Sequence, residues 1–285
     1  IYKKGMLDFQ AEIDAALAQL DWLGDPQAYA RRQQLRAMRM AADALIRYAG
    51  RHAALARELA VAEADPARKA ELERIAAVCT HVPAHAPRDF WEALQAYWFV
   101  HLGVTIELNT WDAFSPGRLD QHLEPFYRKG LEEGTLTRES AAELLQCLWC
   151  KFNNQPAPPK VGVTAEESGT YTDFAQINLG GLRPDGSDGT NEVTGLLLDV
   201  VEEMRLLQPS ASVQVSKKSP DHLIKRAART IRTGFGQPSL FNADLIVQEL
   251  VRQGKSLVDA RCGGSSGCVE VGAFGKEAYI LTGYF

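Results

Sequence analysis

The stretch Ala175-Gln176-Ile177-Asn178-Leu179 opens the part of the chain that decides the fold. It is a short strand-like run, and a helical pattern follows it near residues 192–205. The same order then repeats twice, with strand-like runs at 212–215 and 239–241 and helical patterns at 221–233 and 243–252. Strands that alternate with helices predict parallel crossover units. The sequence therefore predicts an α/β fold, in which helices cover part of a parallel sheet or barrel.

The rest of the chain is predicted to be helical, with one long loop. Residues 1–80 carry apolar side chains at helical spacing, and residues 88–108 form an aromatic-rich helix. Helices also fit 119–133 and 138–152, and a polar, proline-containing stretch follows at 153–172. A loop of that length between apolar segments is typical of a functional loop. We expect residues 1–285 to be a single fragment of one domain, with mainly outer helices in 1–110 and the loops, strands and helices that carry the site in 111–285.

Composition excludes several classes of protein. The 285 residues are 46% hydrophobic and 24% charged, which is typical of a soluble globular chain. The formal net charge of −5 provides no basic surface for nucleic acid. No apolar run is long enough to predict a membrane span. Five cysteines are an odd number and fit a reducing cytoplasm better than a disulfide scaffold. The chain begins with Ile1 and stops within an apolar pattern, so we expect a piece of a longer protein.

The stretch Gly263-Gly264-Ser265-Ser266-Gly267-Cys268-Val269-Glu270 is the most informative for chemistry. In an extended backbone, residues i and i+2 point to the same side, so Cys268 and Glu270 are predicted to face one cavity. A neighbouring carboxylate raises a thiol's pKa, and no histidine lies nearby in sequence, which disfavours a cysteine peptidase. A thiol that reacts as a radical needs no ionisation. The alternative is a buried cysteine in a flexible loop.

Other candidates are weaker. Asp112 lies beside aromatic residues and is either a partly buried functional acid or a capping or ion-pairing residue, with Arg118 as its partner. Ser168 and Phe174 lie at the end of the long loop, just before a strand, where sites are often built. Cys147 and Cys150 have CxxC spacing, but their apolar helix favours core packing over a zinc site. No metal site is predicted.

Several blocks together resemble the glycyl radical enzymes of the pyruvate formate-lyase-like superfamily. The blocks are Ser266-Gly267-Cys268-Val269-Glu270, Gly275-Lys276-Glu277, Thr282-Gly283-Tyr284, Ser115-Pro116-Gly117-Arg118-Leu119-Asp120-Gln121 and Gly234-Phe235-Gly236-Gln237-Pro238-Ser239-Leu240-Phe241-Asn242. Three further blocks are similar to those of the hydroxyproline dehydratases in that family: Asn109-Thr110-Trp111-Asp112-Ala113-Phe114, the run from Lys151 to Lys160, and Glu167-Ser168-Gly169-Thr170-Tyr171-Thr172-Asp173-Phe174.

The resemblance implies roles for individual residues. Cys268 would become a thiyl radical and take a hydrogen atom from the carbon beside the ring nitrogen of trans-4-hydroxy-L-proline. Glu270 would act as acid or base at the departing hydroxyl, and the product would be 1-pyrroline-5-carboxylate. Asp112 would pair with the ring ammonium, which a buried cation requires. The remaining substrate contacts would come from Ser168, Phe174 and Tyr284.

The resemblance also implies what lies around the chain. The family fold is a ten-stranded barrel of two five-stranded parallel halves, and this chain would hold most of one half with surrounding helices. No bound cofactor is expected. The radical would be stored on a C-terminal glycine outside this sequence and installed by an activating enzyme that uses S-adenosylmethionine and an iron–sulfur cluster. A homodimer and strict anaerobiosis are expected, and the present chain alone would be inactive.

Two alternatives stay open at this stage. One is another enzyme of the same family, either a decarboxylase of 4-hydroxyphenylacetate or a related arylacetate, or a dehydratase of a diol. A cationic amine substrate requires an acid such as Asp112, whereas a carboxylate or a diol does not. The other is a non-catalytic helical binding protein, which would tolerate replacement of Cys268.

Overall fold

The computed structural model describes residues 1–107, 114–154, 175–267 and 270–276. The chain divides into two compact units, Ile1–Gly103 and Val104–Phe285. Across the described ranges, no helix combines the length and the apolar character needed to cross a membrane.

The first unit is helical, as the sequence predicts. Its helices are α1 (Met6–Ala18), α2 (Ala28–Ala62), α3 (Pro66–His81) and α4 (Phe90–Glu107), the last of which continues into the second unit. The start of α3 shows why the sequence folds this way locally. Asp65 caps the helix by accepting a hydrogen bond from the Ala67 N–H, and Pro66 stands at the first helical position, where no N–H is needed.

Alanines let α2 and α3 approach closely. The buried residues of α2 are all alanine and recur at helical spacing: Ala28, Ala42, Ala49, Ala53, Ala56 and Ala60. Ala49 and Ala53 pack with Cys79 of α3 and Phe99 of α4 in one buried cluster. A stripe of small side chains on a long helix therefore forms the contact surface for its neighbours.

The second unit is α/β, and the predicted parallel crossovers are confirmed. Its elements are α5 (Leu119–Glu132), α6 (Arg138–Asn154), β1 (Gln176–Gly180), α7 (Glu192–Met204), β2 (Ser210–Val215), α8 (Asp221–Arg232), β3 (Ser239–Asn242), α9 (Ala243–Arg252), α10 (Leu257–Arg261), β4 (Gly263–Ser266) and β5 (Glu270–Ala273). Within the described residues, β1, β2 and β3 form one parallel sheet in that order. Strands β4 and β5 form a separate antiparallel hairpin.

The parallel sheet has one apolar face and one polar face. On β1, Ile177 and Leu179 are fully buried, and α5 packs on this strand. The intervening Asn178 is equally buried and points to the other side, since side chains alternate along a strand. It pairs in register with Ser212 of β2, two residues before Gln214. Fully buried polar side chains need hydrogen-bond partners, so this face has to be covered by something that can supply them.

The prediction that Cys147 and Cys150 pack in the core is wrong. Both lie exposed on α6. The buried face of that helix is formed by Leu145, Leu148, Trp149 and Phe152, together with Ala141. At 100° per residue, positions 147 and 150 lie away from this stripe, so the apolar composition of the segment concealed which face the cysteines occupy.

Candidate functional site

The β4–β5 hairpin carries the sequence block that was singled out for chemistry. Its strands pair antiparallel, with Ser266 opposite Glu270 and Gly263 opposite Ala273. Glu270 is half-buried at the start of β5. Cys268 and Val269, the two residues before Glu270, lie outside the described residues. The structure therefore defines the two strands that flank the thiol in sequence.

Two glycines let the hairpin fit between a helix and the parallel sheet. A Cβ placed on Gly263 would lie 2.5 Å from Cδ1 of Leu250 in α9. A Cβ placed on Gly264 would lie 2.5 Å from Oδ1 of Asn178 in β1. Both separations are far inside van der Waals contact, so any larger residue would push the hairpin away from one neighbour or the other.

Asn178 ties the hairpin to the polar face of the sheet. Its Nδ2 donates to the carbonyl oxygen of Ser265 at 2.7 Å, and its Oδ1 accepts from the Ser265 N–H at 3.0 Å. The Ser265 hydroxyl also lies 3.1 Å from the Ser212 hydroxyl. Gln214 donates to the Asn178 Oδ1 at 2.8 Å. All four side chains are inaccessible to solvent, so the network is a fully buried polar contact between hairpin and sheet.

Arg118 joins the same parts of the structure through main-chain carbonyl groups. Its guanidinium donates to Gly180 O at 2.8 Å at the end of β1, to Arg261 O at the end of α10 and to Gly263 O at the start of the hairpin. Arg118 is 5% exposed. Gly181 lies close to this group, because a Cβ there would fall 2.1 Å from the Arg118 Nη1.

Asp120 completes the contact from α5 to β1. Its Oδ2 accepts from the Gly180 N–H at 2.7 Å and from the Thr194 hydroxyl at 2.6 Å, and its Oδ1 accepts from the Gln121 N–H at 2.8 Å. Burial raises the pKa of Asp120 to about 6, and the three donated hydrogen bonds lower the pKa in the opposite direction. Asp120 is a buried acid whose hydrogen bonds all serve the scaffold.

The segment before α5 reaches both the sheet and the hairpin. The Ser115 hydroxyl accepts from the Gln176 N–H at 3.1 Å and donates to the Ser266 hydroxyl at 3.4 Å. Gly117 has a φ of +70°, a conformation that glycine adopts without strain, and its carbonyl accepts from the Asn178 N–H. The block 115–121, which carries part of the family resemblance, therefore connects β1 with the hairpin.

The structure describes one of the predicted site residues, Glu270. Cys268, Asp112, Ser168, Phe174 and Tyr284 all lie outside the described residues, so their roles stay predictions.

The sequence also offers Arg118 as an ion-pair partner of Asp112. The guanidinium of Arg118 is directed to main-chain carbonyls. Among the described residues, no group of three or more histidine, cysteine or acidic side chains could hold a metal ion.

The network around Asn178 was missed from the sequence. The available signal was the alternation of polar with apolar residues in Gln176-Ile177-Asn178-Leu179 and Ser210-Ala211-Ser212-Val213-Gln214-Val215. A strand in a parallel sheet that is covered on both faces is usually apolar throughout, so regular alternation in a buried strand indicates a polar interior.

The family model "Pyruvate formate lyase-like" matches residues 1–285. The chain belongs to the pyruvate formate-lyase-like family. It is 58% identical to the trans-4-hydroxy-L-proline dehydratase of Clostridioides difficile over all of this chain and 36% of that protein. It is 36% identical to the isethionate sulfite-lyase of Oleidesulfovibrio alaskensis over all of this chain and 34% of that protein. The chain thus spans about a third of the length of these relatives.

Solved structures agree with the fold. The crystal structure of hydroxyproline dehydratase from Clostridioides difficile with trans-4-hydroxy-L-proline bound matches with a TM-score of 0.93 and 57% identity, over 98% of this chain and 35% of that one. The glycerol-bound B12-independent glycerol dehydratase of Clostridium butyricum matches with a TM-score of 0.87 and 32% identity, over 95% of this chain and 34% of that one. The α/β arrangement of helices and parallel sheet is that of glycyl radical enzymes.

Replacing Asp120 by asparagine should lower stability, and the loss should shrink as pH rises. An asparagine cannot accept all three hydrogen bonds, because its NH2 group would face a donor, which costs about 1–3 kcal/mol. The folded-state pKa of Asp120, about 6, lies above its unfolded value. Its contribution to stability is therefore fully present below pH 4 and declines as pH rises through 6. The difference in unfolding free energy between wild type and Asp120→Asn should therefore narrow by about 1 kcal/mol from pH 5 to pH 7.

The measurement is thermal unfolding of the full-length protein and its variant across this pH range. Asp185→Asn is the matched control, because hydrogen bonds from Ser187 hold the pKa of the exposed Asp185 below its usual value. Its effect should stay constant between pH 5 and pH 7. A difference in stability between wild type and Asp120→Asn that grows with pH would contradict the raised pKa of Asp120.

Proposed function

We propose that the full-length protein is a glycyl radical hydro-lyase that converts trans-4-hydroxy-L-proline to 1-pyrroline-5-carboxylate and water. The observation that carries the proposal is the 58% identity, over the whole of this chain, to a protein named as that dehydratase. The match to a structure with trans-4-hydroxy-L-proline bound supports the same substrate. The proposal concerns the whole protein, since the chain covers about a third of these relatives.

The proposed reaction starts and ends at the thiol of Cys268. Its sulfur radical takes a hydrogen atom from the carbon beside the ring nitrogen, which forms an S–H bond and leaves a carbon radical. The neighbouring hydroxyl then departs as water with a proton from Glu270, and the ring nitrogen loses an N–H proton, which replaces the one that Glu270 gave. The thiol returns its hydrogen atom to the organic radical, and the ring becomes an imine. The net change is the loss of one water, with no net oxidation or reduction.

Glu270 is proposed as the acid that protonates the departing hydroxyl. Hydroxide is a poor leaving group, so a positioned proton donor is needed. Glu270 is half-buried at the start of β5, two residues beyond Cys268, and the hairpin that carries it is tied to the buried face of the parallel sheet. Attachment of the hairpin to the sheet suits a group that must donate a proton to the departing hydroxyl at a fixed distance.

The remaining roles follow from the family. Asp112 pairs with the substrate's ammonium, and Ser168, Phe174 and Tyr284 line the substrate site. The glycine radical on a C-terminal loop supplies the oxidising equivalent at Cys268, and an S-adenosylmethionine and iron–sulfur activating enzyme installs it. We further propose that residues 111–285 carry the site within one half of a ten-stranded barrel, and that residues 1–110 are mainly outer helices. The full protein is proposed to be a cytoplasmic homodimer.

The deciding experiment is anaerobic turnover by the full-length protein. After treatment with its activating enzyme, the protein should show a glycyl radical by electron paramagnetic resonance and form 1-pyrroline-5-carboxylate from trans-4-hydroxy-L-proline. Cys268→Ser should retain the radical on glycine and lose all turnover, because a hydroxyl does not form a comparable radical. A radical without product from the wild-type protein would rule out this substrate. Turnover by Cys268→Ser would rule out the thiyl mechanism.

Replacing Glu270 by glutamine tests the proton donor. Glutamine keeps the size of the side chain and cannot transfer the proton, so kcat should fall by about 10²–10⁴-fold. The yield of glycyl radical should stay at the wild-type level. Steady-state kinetics measure kcat, and electron paramagnetic resonance on the same activated protein measures the radical. A kcat within a factor of three of wild type would assign the proton to another group.

Replacing Asp112 by asparagine distinguishes hydroxyproline from the alternative substrates. Loss of the carboxylate leaves a buried ammonium unpaired, which should cost about 2 kcal/mol or more and raise KM by about 30-fold. A decarboxylase of arylacetates is the competing activity, and an indoleacetate decarboxylase from Tractidigestivibacter scatoligenes is 35% identical over 82% of this chain and 27% of that protein. An unchanged KM for hydroxyproline would favour a substrate without a cation.

A further inference from the structure

We propose that Asn178 is a positioning residue for the thiol of Cys268, acting through the main chain of Ser265. Its side chain would hold the hairpin at the distance from the sheet that hydrogen-atom transfer requires. The catalytic part of this inference rests on the proposed function. The geometric part, that Asn178 fixes the hairpin, stands on the structure.

The Asn178 side chain contacts Ser265 in the way that a neighbouring strand would. It donates to the Ser265 carbonyl and accepts from the Ser265 N–H, so one amide group satisfies both main-chain groups of that residue. Strands β1 and β4 belong to different sheets. The Asn178 amide therefore takes the place of a strand–strand hydrogen-bond pair at the point where the two sheets meet.

Asn178 is itself held in one orientation. The Ser265 N–H can only donate, so the atom that faces it must be the amide oxygen, and the NH2 group must face the carbonyl. Gln214 and Ser212 also donate to that oxygen, at 2.8 and 3.2 Å. The main-chain N–H of Asn178 donates to Gly117 O at 3.2 Å. Rotation of the amide would place donors against donors, so the side chain is locked.

The hairpin has the residue type that this contact needs. Only a glycine at 264 allows the close approach, because a Cβ would lie 2.5 Å from the Asn178 Oδ1 and 2.8 Å from the ring of Phe274. Gly264 and Ser265 are both fully buried in β4, and Ser265 stands three residues before Cys268 in sequence. A shift of the hairpin at Ser265 would be passed along a short stretch of chain toward the thiol. Displacement of a reacting group by about 1 Å can lower a rate about 10²-fold.

The test is Asn178→Asp in the full-length protein at pH 8. An ionised aspartate keeps the acceptor and the size, but it places an oxygen against the Ser265 carbonyl where the NH2 group donated. Asn191→Asp is the matched control, because Asn191 also donates to a carbonyl, that of Gly189, and accepts from Val193 and Thr194 as the cap of α7. An aspartate serves equally well as a helix cap.

The kinetic result separates positioning from general damage. After anaerobic activation, Asn178→Asp should have a kcat 10- to 100-fold lower, a KM within about threefold of wild type, and a glycyl radical yield within a factor of two. Asn191→Asp should match wild type in all three. A wild-type kcat in Asn178→Asp would overturn the proposal, as would a loss of radical yield equal to the loss of kcat.

Hydrogen–deuterium exchange tests the geometric part without substrate. In the unactivated protein, peptides that cover 263–267 should exchange at least tenfold faster in Asn178→Asp, while those of α2 and α3 stay unchanged. Unaltered exchange in the hairpin would overturn the proposal. If wild type makes the radical but leaves hydroxyproline unchanged, the proposed function fails, and the exchange result still decides whether Asn178 holds the hairpin.

A milder variant covers the case in which Asn178→Asp does not fold. Ser212→Ala removes one donor to Asn178 and the contact with the Ser265 hydroxyl, and leaves the pair of bonds between Asn178 and the Ser265 main chain. Exchange in 263–267 should rise about threefold, and kcat should fall by less than tenfold. No change in exchange at that peptide would count against the network as the means of holding the hairpin.

Discussion

The buried polar face of the parallel sheet is the constraint on which the rest of the second unit depends. Asn178, Ser212 and Gln214 are fully buried there, and a buried polar group without a partner costs about 1–3 kcal/mol. The β4–β5 hairpin meets part of this demand, because Ser265 offers its N–H, its carbonyl and its hydroxyl together. An apolar cover could not lie at this position without leaving those groups unpaired. The buried polar side chains of the sheet thus require a polar segment, such as the one that contains Ser265, to pack against them.

Arg118 and Asp120 fix the edges of the same arrangement from the start of α5. Arg118 binds carbonyl oxygens from both β1 and the hairpin, and Asp120 accepts from the Gly180 N–H at the end of β1 and from the Thr194 hydroxyl of α7. The two residues have opposite hydrogen-bonding character, so together they satisfy the acceptors and donors that a strand end leaves unpaired. Neither contact needs substrate. These contacts of residues 115–121 are thus with the protein scaffold, although the residues belong to a block that carries the family resemblance.

The sequence predicted the fold well where local patterns decide structure. The strand-like runs and helical patterns of 175–252 agree with β1 to α9, because hydrophobic periodicity and turn residues act locally. It failed for Cys147 and Cys150, since an apolar helix does not reveal its buried face without its neighbours. Asn178 was missed for another reason: its partner Ser265 is 87 residues away, and no local pattern reports such a contact. Glu270 was singled out from its spacing to Cys268, and the structure defines its strand.

Relatives named for lysis of isethionate and for dehydration of hydroxyproline both match the chain along its full length, so the fold is compatible with several reactions. The proposed thiyl mechanism requires a thiol at a fixed place, and the contacts of Asn178 and Arg118 hold the hairpin that precedes Cys268 in sequence. What must differ is the charge of the group that meets the substrate. Under the proposed function, discrimination would rest on side chains such as Asp112, whose carboxylate would favour a cationic amine over a sulfonate, a carboxylate or a diol.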